Sequence, residues 1–293
     1  MLPLAINWDI DPVIFHIGSY GVRWYSMGFL LAFVLGYYIM ARIFSREKVR
    51  SEYLDTLLLY MFVAILVGAR LGHCLFYDAD YFLTAEHWTE IFWPFEGGKF
   101  TGFAGLASHG AAIGIFIAIW LFWRRYKMNP WWLLDRLAIV VALGGAFIRI
   151  GNVFNSEIYG VETTLPWGFI FVRNGETLPK HPTGLYEALA YLLIFVVSFI
   201  YYRRKGDKMR SGSILGWWFV ALFGARFAIE FLKTNGVVDG VTLKMGQLLS
   251  IPLIIGGVVI AWLSARGKLV QGPFPQGERS DLLKKWDKTK SKK

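Results

Sequence analysis

Seven apolar segments, each long enough to cross a lipid bilayer, constrain the fold of this 293-residue chain more than any other feature. They run near residues 23–43, 55–77, 103–123, 135–154, 184–202, 212–233 and 246–264. A spanning helix needs roughly 20 apolar residues. Inside lipid every backbone N–H and C=O must also find its partner within the protein, which leaves helices or closed barrels. The expectation is an all-α integral membrane protein with seven transmembrane helices over residues 1–265, and a basic tail over 266–293. Hydrophobic residues make up 55% of the chain, above the roughly 45–50% of soluble domains.

The net charge of +10 would suggest nucleic acid in a soluble protein, but its placement reads differently here. Of 31 Lys and Arg, 21 lie in residues 42–54, 124–134, 203–211 and the stretch from 265, and five lie in the alternate connections. That bias predicts a cytoplasmic C-terminus and an N-terminus on the other face. The basic surplus also suits anionic lipid headgroups, and no nucleic-acid partner is needed. Residues 1–21 carry Asp9 and Asp11 and lack the basic start of a signal peptide. The only cysteine, Cys74, has no disulfide partner and reads as a small buried residue rather than a nucleophile. The 31 glycines follow no repeat period.

The remaining five basic residues, Arg23, Arg70, Arg136, Arg149 and Arg226, fall inside the spans. Arg149 and Arg226 each stand fourteen residues past the inner ends of their helices (Asp135 and Gly212), and Arg70 fifteen past Asp55. At about 1.5 Å per residue these lie roughly 21 Å up. His109 sits about 9 Å below the outer surface by the same rise, and Arg23 and Tyr25 stand slightly above. Several helices therefore bring polar groups to one layer in the outer half of the membrane. Intramembrane charges are costly and by default functional. Guanidinium forks match phosphate oxygens, so a phospholipid headgroup is the natural ligand. The alternative, arginines paired to acids or carbonyls that hold helices together, stays open above all for Arg70. Glu230 stands four residues after Arg226 on the same helix face and could take part of its charge.

His109 is flanked by small residues in Ala107–Gly114 (ASHGAAIG), so helix packing and proton acceptance by a neutral imidazole are both open. No second His or Cys stands at ligand spacing, and no metal is expected. The loop 166–182 carries Arg173, Lys180 and His181 and suits gating or the seating of a polypeptide. His181 and Glu187 in KHPTGLYE could mark a helix start capped by Thr183, or could be functional.

The string Arg149-Ile-Gly-Asn152-x-x-Asn155-x-Glu157-x-x-Gly160 resembles the signature of bacterial prolipoprotein diacylglyceryl transferases. The resemblance covers most of the chain. It includes Arg23-Trp-Tyr25, Gly68-Ala-Arg70, Ser108-His109-Gly110, His181-Pro-x-x-Leu-Tyr186-Glu187 and Arg226-x-x-x-Glu230-Phe231. It implies a seven-helix protein of the bacterial inner membrane, N-terminus periplasmic and C-terminus cytoplasmic, with its site towards the periplasm. The implied reaction moves the diacylglyceryl group of phosphatidylglycerol onto the lipobox cysteine of a prolipoprotein, forming a thioether and releasing glycerol phosphate. Catalytic roles are then expected for His109, Arg149, Arg226 and Tyr25. Substrate contacts are expected from the two arginines with Asn152, Glu157, Gly160, Glu230 and Arg70, and no cofactor is implied. The chain departs from many relatives at Arg23, His73, Ser156 and Leu222. A lipid flippase would use the same arginines but often shows paired repeats, which are not found. A retinal protein would want a lysine inside the last span, and residues 246–264 hold none.

Overall fold

The computed structural model describes residues 5–18, 20–84, 87–93, 95–96, 99–100, 105, 107–234 and 243–274. Its helices are α1 (Trp24–Arg46), α2 (Ser51–Phe76), the one-turn α3 (Ala79–Phe82), α4 (Ser108–Tyr126), α5 (Pro130–Phe154), α6 (Thr183–Lys205), α7 (Ser213–Glu230) and α8 (Met245–Ala265). Apart from the short α3, each matches one of the seven apolar segments. Six of them are long and apolar enough to cross a membrane. The other, α4, is diluted by Ser-His-Gly at its start and by Arg124 and Arg125 in its last turn. The start of the third segment, residues 103, 104 and 106, lies outside the described residues. Arg23 belongs not to the first helix but to the hairpin of β2 (Val13–Ile17) and β3 (Tyr20–Arg23) that precedes it.

Among the described residues three two-stranded ribbons supplement the helices. Besides the β2–β3 hairpin, β1 (Ile6–Trp8) pairs in parallel with β6 (Phe169–Phe171), and β4 (Phe95–Glu96) pairs with β5 (Lys99–Phe100). Strands this short carry no readable period, so hydropathy alone does not announce them.

The described residues form two compact units. Of these residues, those within Met1–Glu47 and Trp131–Gly272 make up one unit and those within Lys48–Pro130 and Pro273–Lys293 the other. In the first, α8 lies against α7 and α7 against α6. The start of α7 is fixed by Asp135 of α5, whose carboxylate accepts from the Gly212 and Leu215 amides at 2.7 and 2.8 Å. These are two of the orphan donors that every helix start presents. Arg136, one of the arginines within the spans, is structural. It pairs bidentately with Glu47 at 2.9–3.0 Å, and Trp132 donates to the same carboxylate at 2.7 Å.

In the second unit α2 and α4 cross at backbone contact. A Cβ on Gly68 would lie 2.5 Å from the Gly110 carbonyl oxygen, and one on Gly110 2.1 Å from that of Gly68. Small residues permit this approach in lipid, where dispersion at close range drives association. Cys74 is fully buried with Phe82 and Ile91, as a small apolar residue would be. Two hydrogen bonds tie residues 271 and 273 to the rest of the chain. The Gln271 side chain accepts from Ser211 N at 2.9 Å, and the Pro273 carbonyl accepts from Asn129 N at 2.8 Å. The rest of the expected tail lies outside the described residues.

Candidate active site

In the first unit the end of α5, the turn after it, and the facing ends of α6 and α7 converge on one polar cluster. Arg149 and Asn152, three residues apart on α5, share a face as their spacing requires. Arg149 Nη1 donates to Asn152 Oδ1 at 3.2 Å, and Asn152 Nδ2 donates to Glu157 at 2.9 Å. Asn155 donates to the other Glu157 oxygen at 3.2 Å. With its amide given to Glu157, Asn152 has only its oxygen to offer Arg149.

The other edge of the Arg149 guanidinium meets Glu187 of α6. Arg149 Nε lies 2.7 Å from Glu187 Oε2, and Lys233 Nζ lies 2.8 Å from Oε1. The first contact is a close charge pair whose N–H is not aligned as a hydrogen bond. Lys233 also reaches Glu230 at 3.1 Å. Glu187 is 0% exposed and the side chains of Lys233 and Glu230 are 4% and 5% exposed, so charge alternates along a buried chain Arg149–Glu187–Lys233–Glu230. Buried charges persist only when compensated in this way. Glu187 thus faces this cluster from α6. Thr183 is no cap: its hydroxyl donates at 2.6 Å to the Ile158 carbonyl.

Glu230 does not share its charge with Arg226. It turns instead to Lys233, over Gly246 of α8. A Cβ at Gly246 would stand 2.5 Å from the Glu230 carboxyl carbon, so only glycine leaves room for the acid there. Among the described residues Arg226 forms no ion pair. The two arginines therefore differ: Arg149 is paired with Glu187, and Arg226 is a half-buried cation with no carboxylate partner among the described residues. Tyr191 of α6 lies within electrostatic reach of both, and Tyr25 of α1 within reach of Arg149 and Glu157.

Gly160 closes the turn after α5. Its N–H donates to the His181 carbonyl at 2.8 Å, and a Cβ there would stand 2.2 Å from the Leu232 carbonyl oxygen. Its part is close backbone approach. His181 pairs through Nδ1 with the Tyr186 hydroxyl at 3.1 Å.

Arg70 and His109 belong to the second unit. Arg70 is buried, with Nε and Nη2 donating to the Ile91 and Glu90 carbonyls at 3.0 and 2.8 Å. That is the carbonyl-paired packing role the sequence also allows. The Glu90 carboxyl, hydrogen-bonded by His87, is held below the usual carboxylate range. His109 is exposed on the first turn of α4 and forms no hydrogen bond or ion pair among the described residues, so the helix crossing is the work of its neighbour Gly110.

Sequence reasoning misses Lys233, which falls among the outer-side connections, and Tyr191, which is an ordinary aromatic within a span. Lys233 does leave a signal, standing three residues after Glu230.

Long apolar helices around an arginine-centred polar cluster define a multi-pass membrane protein. The family model described as prolipoprotein diacylglyceryl transferase matches residues 12–263. A relative from Tolumonas auensis named phosphatidylglycerol–prolipoprotein diacylglyceryl transferase is 43% identical over 264 residues, covering 89% of this chain and 98% of its own. Proteins of the same name from Porphyromonas gingivalis and Chloroherpeton thalassium are 41% and 40% identical, over 94% and 89% of this chain and 98% and 95% of theirs. The chain belongs to the prolipoprotein diacylglyceryl transferase family.

Proposed function

We propose that this protein transfers the diacylglyceryl group of phosphatidylglycerol to the cysteine thiol of a prolipoprotein lipobox, the first step of lipoprotein maturation. The observation that carries the reading is the pair of unlike arginines, one anchored by Glu187 and Asn152 and one that forms no ion pair among the described residues. In the reaction the thiolate sulfur bonds to the terminal glyceryl carbon and the carbon–oxygen bond to phosphate breaks. The oxygen keeps the electron pair, and glycerol phosphate leaves. Positive groups aimed at the phosphate stabilise the charge that grows on the leaving oxygen, and cationic surroundings favour the thiolate. Arg226, together with the Arg149 guanidinium held by Asn152 and Glu187, supplies both effects. Tyr25 and Asn152 flank the phosphate, while Glu157, Gly160 and Glu230 shape the turn and the charge around it.

The same reading places seven spans in the bacterial inner membrane, with α4 as the one of marginal hydropathy. The N-terminus and the site face the periplasm and the basic tail faces the cytoplasm in this reading, an orientation that the charge bias supports. The test is purified protein with phosphatidylglycerol vesicles and a lipobox peptide. A diacylglyceryl thioether on the peptide, seen by mass spectrometry, supports the transferase. Lipid moving between leaflets with no thioether would instead make the protein a flippase.

His109 is the proposed acceptor of the thiol proton. His109→Gln is expected to lower kcat by roughly 10²–10⁴, the usual weight of general-base catalysis, and to remove the acidic limb of the pH–rate profile. An unchanged profile rejects that role.

The basic tail lies outside the catalytic domain in this reading. A chain ending at Phe274 should keep full turnover. Ending it at Gln271 removes the acceptor of the Asn129 amide, and a buried orphan donor costs about 1–3 kcal/mol. A lowered melting temperature with this second truncation alone is the expected result.

A further inference from the structure

Two residues in the turn after α5 adopt a backbone that L-amino acids avoid. Ser156 and Ile158 have φ of 55° and 56°, and the β-branched Ile158 is the less tolerant of the two. Such conformations persist only where surrounding contacts over-determine them, and they cluster where function needs the geometry. The contacts are visible. The Asn174 side chain donates to the Ser156 carbonyl at 2.8 Å, and the fully buried Thr183 hydroxyl donates to the Ile158 carbonyl at 2.6 Å. Each left-handed residue thus has its carbonyl held by a side chain from a different segment, one before α6 and one in its first turn.

The residue between them is Glu157, and the turn puts its carboxylate on Asn152 and Asn155 at 2.9 and 3.2 Å. Asn152 in turn holds Arg149 at 3.2 Å. We propose that Thr183 and Asn174 are positioning residues for the transfer reaction: they clamp the left-handed Ser156–Ile158 turn that keeps Glu157 on Asn152 and so aims Arg149. This rests on the transferase reading, and neither residue touches substrate in it.

The experiment measures kcat and KM for thioether formation, with melting temperature, in wild-type protein, Thr183→Val, Thr183→Ser, Asn174→Ala, Ile158→Gly and the double variant Thr183→Val/Ile158→Gly. Small misplacements of a catalytic group cost on the order of 10- to 100-fold, and a loss in that range in kcat is expected for Thr183→Val. Thr183→Ser keeps the hydroxyl and should restore the rate. The double variant should recover it as well, because glycine adopts positive φ without a clamp. Asn174 is exposed, so Asn174→Ala should fold, and it should lose kcat in the same direction. Wild-type kcat in Thr183→Val and Asn174→Ala overturns the proposal. So does a loss that follows melting temperature and is not suppressed by Ile158→Gly. A wild-type protein that makes no thioether overturns the transferase reading, and this inference falls with it.

Discussion

Arg226→Ala is expected to lower transfer by about 10²–10³-fold, the scale on which one donor to a developing oxyanion acts, while leaving the melting temperature unchanged. The separation of the two effects follows from charge pairing. Among the described residues Arg226 has no ion pair, so its removal orphans no buried carboxylate. Arg149→Ala should be equally inactive but also less stable, because Glu187 Oε2 loses the guanidinium 2.7 Å away. Arg226→Lys should recover only part of the rate, since an ammonium supplies a point charge in place of a planar fork. Turnover by mass spectrometry and thermal melting in detergent read the two axes separately. Near-normal turnover in Arg226→Ala would sink the phosphate reading, and a large loss of stability would show that Arg226 is paired after all.

What the sequence could tell depended on the range of each interaction. Helices within lipid need long uninterrupted apolar runs, so hydropathy located the long helices, six of them able to cross a membrane, whereas ribbons of two to five residues left no pattern. The contact between Arg149 and Asn152 is local, set by helical spacing, and was readable. The spacing of Arg226 and Glu230 is just as local, yet it misled. Spacing along one helix cannot show that Gly246, on another helix, makes room for the Glu230 carboxylate to turn to Lys233. The partners of Glu187 escaped for the same reason, since they come from α5 and from just beyond α7. The strained turn was hidden too, because Ser156 and Ile158 are residues that no turn rule places at positive φ.

Glu187→Ala is expected to be the most destabilising single change in the cluster, by about 3–5 kcal/mol, the cost of breaking a buried pair from one side. Glu187 is 0% exposed and answers two cations at once, Arg149 Nε at 2.7 Å and Lys233 Nζ at 2.8 Å. Without it Lys233 keeps Glu230 at 3.1 Å, so the orphan is chiefly Arg149. Glu187→Gln separates shape from charge. The amide oxygen can still accept from Lys233, and the loss of stability should be smaller, but Arg149 loses the anion that fixes its Nε edge. Both variants should therefore lose kcat, and the glutamine variant should do so with the milder change in melting temperature. Equal loss of stability in the two would mean that packing, not charge, is what Glu187 supplies. Full activity in Glu187→Gln would mean that Asn152 alone suffices to aim Arg149.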